Sequence, residues 1–233
     1  MVQLVLLCAG AGTRLKHLTK NTPKPMILFN NRPFLDYVLS YYKKAGINNV
    51  IIAVGYLADK IKDYFKDGKK FGLSIQYAQS SVEVETGGSF KRSLPYIKDD
   101  YFFVQWGDIF FPLDYNLLLK KFIDSGKKAM IVACKREQIK EYEDKNDLQI
   151  KGNNVIKYDR GNSSGKCNML NGGIMIFRKD VLKFELPDKF RLEEGLFPKL
   201  IATQDLIAYV TKKIPYDIGN IDKMKRFQDY LEG

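Results

Sequence analysis

Leu4-Val5-Leu6-Leu7-Cys8-Ala9-Gly10-Ala11-Gly12-Thr13-Arg14-Leu15 is an apolar run that stops abruptly at glycine and then turns basic. Leu4 to Leu7 has the length of a buried strand, and Gly10 and Gly12 break it. A strand that empties into a glycine turn is the place where open α/β sheets bind ligands, beyond the carboxyl ends of their strands. The same alternation recurs further along. Pro33 opens a helical stretch, Phe34 to Ala45, closed by Gly46. Asn49 to Val54 reads as a buried strand, Leu57 to Phe65 as a helix and Leu73 to Ala78 as an alternating strand. Gly88 to Ile97 reads as helix, Tyr101 to Gln105 as strand, Asp114 to Ser125 as amphipathic helix and Lys128 to Cys134 as strand. This order predicts an α/β fold with a mostly parallel central sheet and helices on both faces.

The pattern loosens after Cys134. Leu148 to Lys157 reads as a hairpin turning at Gly152-Asn153-Asn154, and Gly161 to Gly165 as a polar loop. Leu170 to Arg178 is a strand whose glycines permit close approach by a ligand. Helices are expected over Asp180 to Lys183, Glu193 to Ala202 and Asp222 to Leu231, with a strand at Leu206 to Thr211. No repeat, low-complexity tract or linker interrupts the chain. One domain over residues 1–233 is expected, with a nucleotide-sized half to about residue 135 and a smaller β-containing acceptor half from about residue 136.

The chain of 233 residues is 45% hydrophobic and 28% charged, which excludes a disordered or fibrous protein. No stretch approaches the roughly 20 apolar residues of a membrane helix, and the start lacks the basic region and cleavage site of a signal peptide. Cys8, Cys134 and Cys167 suggest neither a disulfide framework nor a zinc site and suit a reducing, cytoplasmic setting. The net charge of +11 fits a nucleic acid, an acidic membrane or a small phosphorylated substrate. Its distribution points to a bound anion beside the glycines. Arg14, Lys16, Lys20, Lys24 and Arg32 all precede the first acidic residue, Asp36. No nucleic-acid module or basic-aromatic stripe is present.

Chemistry concentrates in two places. In Cys8-Ala9-Gly10-Ala11-Gly12-Thr13-Arg14, the glycines let backbone N–H groups face phosphate oxygens and Arg14 adds charge-assisted hydrogen bonds. Thr22-Pro23-Lys24-Pro25 then holds Lys24 between two prolines, preorganising a cation. The spacing is neither a P-loop nor a dinucleotide fingerprint, because Leu15 stands where the latter needs its third glycine. The second place is Gly107-Asp108, at the end of a predicted strand. An aspartate there suits Mg²⁺, which takes one or two carboxylates plus substrate phosphates. Asp217 is the second carboxylate sought, and only the fold can bring so distant a pair together.

The ordered elements G-A-G-T-R-L, T-P-K-P-M, E-T-G-G, W-G-D, N-G-G-I and Y-D-I-G, from about Leu4 to about Phe227, resemble the sugar-1-phosphate nucleotidyltransferases. Within that family the chain looks most like the heptose 1-phosphate guanylyltransferases and the muramic acid 1-phosphate uridylyltransferases. The resemblance implies a Rossmann-like nucleotidyltransferase fold, and that an NTP and a sugar 1-phosphate give an NDP-sugar and pyrophosphate with Mg²⁺, for polysaccharide precursors. GTP with a heptose or mannose-type 1-phosphate is the expected pair, and UTP or CTP the alternatives. Carried over by position, Gly10, Gly12, Thr13 and Arg14 hold the triphosphate and Lys24 the reacting phosphates. Thr86, Gly87 and the backbone of Cys8 and Ala9 lie near the base, with Gly107 beside them. Asp108 and Asp217 match the metal aspartates. Asn171 and Gly172 match the element that reaches the sugar. The family's lysine on the sugar phosphate is expected at Lys157, with Arg160 or Lys166 as alternatives.

Such a reaction is a direct in-line attack by an oxygen that is already anionic, so no general base is required. The only histidine, His17, sits in the basic loop and reads as a surface residue. The barrier is electrostatic, and Arg14, Lys24 and a metal on Asp108 are the parts that lower it. Trp106 reads as core packing with ribose or base contact second. Tyr37, Tyr41 and Tyr42 suit core packing or the interface of a homodimer. A catalytically silent regulatory relative is the rival reading; such proteins lose the G-x-G-T-R element or the metal aspartates, and both are intact here.

Overall fold

The computed structural model describes residues 2–15, 17–135 and 147–233. Lys16 of the basic cluster and the opening residues of the expected second half, 136–146, lie outside the described residues. The elements in chain order are β1 (Val2–Cys8), β2 (Leu28–Phe29), β3 (Arg32–Pro33), α1 (Phe34–Lys44), β4 (Asn49–Val54), α2 (Ala58–Phe65) and β5 (Ser74–Gln79). There follow α3 (Glu85–Ser93), β6 (Tyr101–Trp106), β7 (Ile109–Phe110), α4 (Tyr115–Ser125), β8 (Ala129–Cys134), β9 (Leu148–Lys151) and β10 (Asn154–Tyr158). The chain ends with β11 (Leu170–Arg178), α5 (Leu192–Ala202), β12 (Leu206–Thr211), β13 (Tyr216–Asp217) and α6 (Ile221–Glu232).

A 9-stranded sheet in the order β5-β4-β1-β6-β11-β8-β12-β10-β9 carries the fold. β5, β4, β1 and β6 are parallel neighbours, as the β-α alternation requires. β11 inserts antiparallel to both β6 and β8, β12 returns parallel to β8, and the β9–β10 hairpin closes the far edge. The insertion joins strands of the first and second halves into one continuous sheet.

The alternation along β1 shows why the sheet is covered twice. Leu4, Leu6 and Cys8 pack into one core with α1, α2 and α4, while Val5 and Leu7 pack into the other with α3 and α5. Side chains of successive strand residues point to opposite faces, so an uninterrupted apolar run needs a layer on each. An aromatic cluster anchors the last helix to the first layer. Phe227 of α6 lies edge-on to Phe29 and Phe34, with ring centroids 4.9 and 4.8 Å away.

Two local differences from the sequence reading bear on the site. The helix expected from Gly88 begins at Glu85, so Thr86 and Gly87 stand in its first turn. Gly87 and Gly88 are weak helix formers, but packing requires them: a Cβ would come within 2.4 Å of Phe190 and 2.3 Å of the Asp188 carbonyl. Secondly, β7 and β13 form a small antiparallel ribbon that pairs Ile109 with Asp217.

Candidate active site

The β1 carboxyl end opens directly into the glycine turn. Gly12 adopts φ +63, with a would-be Cβ 3.1 Å from both Lys24 Cβ and Thr19 Cγ2. Glycine is needed there for conformation and for room. Thr13 to Leu15 form one 3-10 turn closed by the Leu15 N–H on the Gly12 carbonyl. Among the described residues, no hydrogen bond engages the backbone N–H groups of Gly10, Ala11, Gly12 or Thr13. Gly10 has open space where its side chain would be. Unspent N–H groups on an open concave turn form an anion cradle.

Lys24 sits in a second 3-10 turn whose N-terminus is set by Pro23 and Pro25. Its ammonium group donates to the Asp108 Oδ2, and the lysine side chain is only 9% exposed. Burial pushes the Asp108 carboxyl up, but the Lys24 charge and hydrogen bond, with Arg14 behind them, outweigh it and leave it below the usual carboxylate range. Asp108 follows β6, where β1 and β6 touch so closely that a Cβ on Gly107 would lie 2.2 Å from the Cys8 Sγ. Burial, helped by Asp108, pushes the Cys8 thiol far up, so Cys8 is packing and not a nucleophile.

The β7–β13 ribbon then brings the second carboxylate in. The Ile218 N–H donates to the Asp108 carbonyl at 3.2 Å. Asp217 Oδ1 accepts the Gly219 N–H at 2.8 Å, and its Oδ2 pairs with Lys223 Nζ at 2.9 Å. Each aspartate thus faces a lysine of the chain, and both line the same cleft. Among the described residues, no group of three or more His, Cys, Asp or Glu gathers to hold a metal. Two hard carboxylates on one cleft fit Mg²⁺ completed by phosphate oxygens better than a fully protein-built cage.

Two connected clefts flank this junction. One, of about 340 Å³, is lined by Cys8, Gly10, Gly12, Thr13, Lys24 and Gly219. The other, of about 570 Å³, is lined by Asn171, Tyr158, Glu193, Arg191, Asp217 and Lys223 among others. Arg14, Thr86, Trp106 and Asp108 border both. Three buried polar atoms on the larger cleft have no hydrogen-bond partner among the described residues: Trp106 Nε1, Asn171 Nδ2 and Glu193 Oε1. Buried polar groups are nearly always paired, so this wall is cut for a polar guest. Burial, with Asp147 and Glu194 adding like charge, raises the Glu193 carboxyl to about 7.

Other expected site residues fall elsewhere. The Ala9 carbonyl is spent on the Tyr56 N–H and a Gly55 Cβ would strike it, so that residue stitches β1 to the chain after β4. Gly87 gives its N–H to the Phe190 carbonyl. Gly172 lies against Phe111 and the Val132 carbonyl. Lys157 does not line either cleft; its Nζ is 3.5 Å from Asp159 Oδ2. His17 is exposed and borders neither cleft. Arg160, Arg191, Glu193 and Lys223 do line the larger one. Sequence reasoning gave Arg160 only as an alternative to Lys157 and missed the last three, since no local motif marks them.

The family described as Nucleotidyl transferase matches residues 3–232, and the chain belongs to it. Its relatives place it among the sugar-1-phosphate nucleotidyltransferases. It is 34% identical over 206 residues to the D-glycero-alpha-D-manno-heptose 1-phosphate guanylyltransferase of Campylobacter jejuni, covering 84% of this chain and 85% of that protein. It is 28% identical over 233 residues to the enzyme of the same name from Aneurinibacillus thermoaerophilus, covering 99% of both. Among solved structures it resembles HddC from Yersinia pseudotuberculosis, with a TM-score of 0.82, 26% identity, and 99% and 100% of the two chains covered. That protein has also been solved complexed with GMP-PN, and this form gives a TM-score of 0.80. The fold class and the family expected from the sequence are those found. Among the described residues no helix is long and apolar enough to cross a membrane.

Proposed function

We propose that this protein transfers the guanylyl group of GTP to a heptose or mannose-type 1-phosphate, releasing pyrophosphate, in the cytoplasm. The choice of GTP and of the sugar rests on the relatives, two of which are named as heptose 1-phosphate guanylyltransferases. The observation that carries the reaction type is the junction itself: Arg14, Lys24 and both aspartates meet where the glycine turn borders a cleft with unpaired polar atoms.

In this reading the triphosphate lies on the N–H groups of residues 10–13 and against Arg14. The sugar 1-phosphate enters the larger cleft, where Trp106 Nε1 and Asn171 Nδ2 are free to donate to hydroxyls and Glu193 to accept. Asp108 and Asp217 would hold Mg²⁺, which supplies charge neutralisation between the reacting phosphates. Lys24 leaves Asp108 for the α-phosphate as charge develops, a stabilisation that a preorganised cation provides without solvent reorganisation. The attacking oxygen is ionised at neutral pH, so no general base is required for it. A pyrophosphate-release assay of five NTPs against hexose, heptose and amino-sugar 1-phosphates tests the proposal. GTP with a heptose or mannose-type partner should give the highest kcat/KM; a faster UTP or CTP reaction would displace the guanylyl reading.

A further inference from the structure

Glu193 is a buried carboxyl that the fold itself does not use. It stands in the first turn of α5 and is 5% exposed. It lines the larger cleft, its Oε1 has no hydrogen-bond partner, and no cation pairs with it among the described residues. Asp147 and Glu194 add like charge to it. The arginines of the same cleft are paired elsewhere: Arg160 and Arg191 share Glu194 at 3.7 and 3.8 Å, and Arg191 also meets Glu85 at 3.4 Å. The position is nonetheless firmly set. The Leu192 N–H donates to Thr86 Oγ1 at 3.0 Å, the Gly87 N–H to the Phe190 carbonyl at 2.8 Å, and Phe197 packs edge-on against Tyr158. A buried polar group without a partner destabilises a fold, whereas an apolar side chain of the same shape does not. A rigid wall that keeps such a group suits a polar guest.

The chemistry of that guest follows from the groups on the same cleft. Asn171 Oδ1 accepts the Gly173 N–H at 2.8 Å, which orients the amide and leaves Nδ2 as its unpaired atom. Trp106 Nε1, the other unpaired nitrogen, can only donate. The wall therefore offers two N–H donors and one carboxyl. A sugar hydroxyl both donates and accepts, so hydroxyls satisfy such a set, and a deoxygenated carbon does not. We propose that Glu193 is the specificity residue of the acceptor cleft: it takes the hydrogen bond of one sugar hydroxyl, and a sugar 1-phosphate without a hydroxyl at that position is refused. The inference rests on the nucleotidyl-transfer reading above and narrows its acceptor class.

The test measures kcat/KM with GTP for the better acceptor of heptose and mannose 1-phosphate and for the set of its monodeoxy analogues. Wild type is compared with Glu193→Met, Glu193→Ala and Glu193→Gln. In wild type one analogue should lose about 100-fold or more against the parent sugar, because it leaves a built hydrogen-bonding group unpaired. In Glu193→Met, which fills the same space without an acceptor oxygen, that gap should fall below about tenfold. Glu193→Ala answers the same question should methionine not fit. Glu193→Gln keeps an oxygen for the hydroxyl and should retain most of the gap. The KM for GTP should stay within about threefold throughout. An unchanged gap in Glu193→Met and Glu193→Ala would overturn the assignment, because a residue that only shapes the wall slows every acceptor alike. So would a wild type indifferent to every deoxygenation. A binding arm titrates the same sugar phosphates calorimetrically into the full chain saturated with a non-hydrolysable GTP analogue. A deoxy analogue bound more weakly than the parent by wild type but not by Glu193→Met supports the assignment; equal ratios, or no binding to wild type, refute it. If wild type transfers nucleotide to no sugar phosphate, the transfer reading fails while this arm still decides Glu193.

Discussion

Replacing Glu193 with glutamine should stabilise the protein, increasingly as the pH rises from about 4.5 through about 7. Glu193 is 5% exposed on the wall of the acceptor cleft, and its Oε1 has no partner among the described residues. Burial comes first in raising its carboxyl from the usual 4.5 to about 7. The folded protein therefore holds a proton that the unfolded chain releases near 4.5. That proton's contribution to stability is complete below the unfolded value and is lost as pH climbs through about 7. At about 1.4 kcal/mol per pH unit, ionising the buried carboxyl costs up to ~3 kcal/mol by pH 8. Glutamine keeps the shape and never ionises. Melting curves of wild type and Glu193→Gln, recorded without substrates from about pH 4 to about pH 8.5, should nearly coincide at the acid end, below the unfolded value. They should separate by roughly 5–10 °C at pH 8, with the variant higher, at the 2–4 °C per kcal/mol typical of a domain this size. Parallel curves across the whole range would show that Glu193 meets water or a cation and is not held in an apolar wall.

Asp108→Asn should abolish Mg²⁺-dependent turnover and leave the melting temperature within a few degrees, read by pyrophosphate release and circular dichroism; retained activity would remove the metal assignment. Lys24→Ala should lower kcat by about 100-fold or more if the lysine stabilises developing charge, whereas an effect confined to KM would make it a ground-state contact. Gly107→Ala should cost roughly 1–3 kcal/mol of stability by overpacking, because its Cβ would lie 2.2 Å from Cys8 Sγ. The double variant with Cys8→Ala should recover part of that loss in chemical denaturation, and strict additivity of the two would argue against the contact.

The first half of the fold was legible because β1, β4, β6 and β8 are short apolar runs buried on both faces. Asn49 to Val54 has the bounds the sequence suggests. β11 was not legible as an antiparallel strand, since Leu170 to Arg178 is buried on both sides whichever way it runs. Direction is set by its neighbours, β6 and β8, and by nothing in its own residues. The junction was half visible. Gly12 and Lys24 carry their reasons locally, in a positive φ and in flanking prolines. Asp217 meets Asp108 only through a ribbon of two-residue strands, too short to give a period. Gly87 has a packing reason that no local pattern carries: a Cβ there would collide with Phe190. Lys223 and Glu193 were invisible as site residues because an amphipathic helix looks the same whether its buried polar residue faces a core or a cleft.

The fate of the α-phosphorus of GTP tests the account most directly. With that phosphorus radiolabelled, and with heptose 1-phosphate and Mg²⁺, chromatography of the products should show the label in the GDP-sugar and unlabelled pyrophosphate in equal amount. Label recovered in GMP, or in a species bonded to the protein, would contradict a single direct transfer across the Arg14, Lys24 and Asp108 junction.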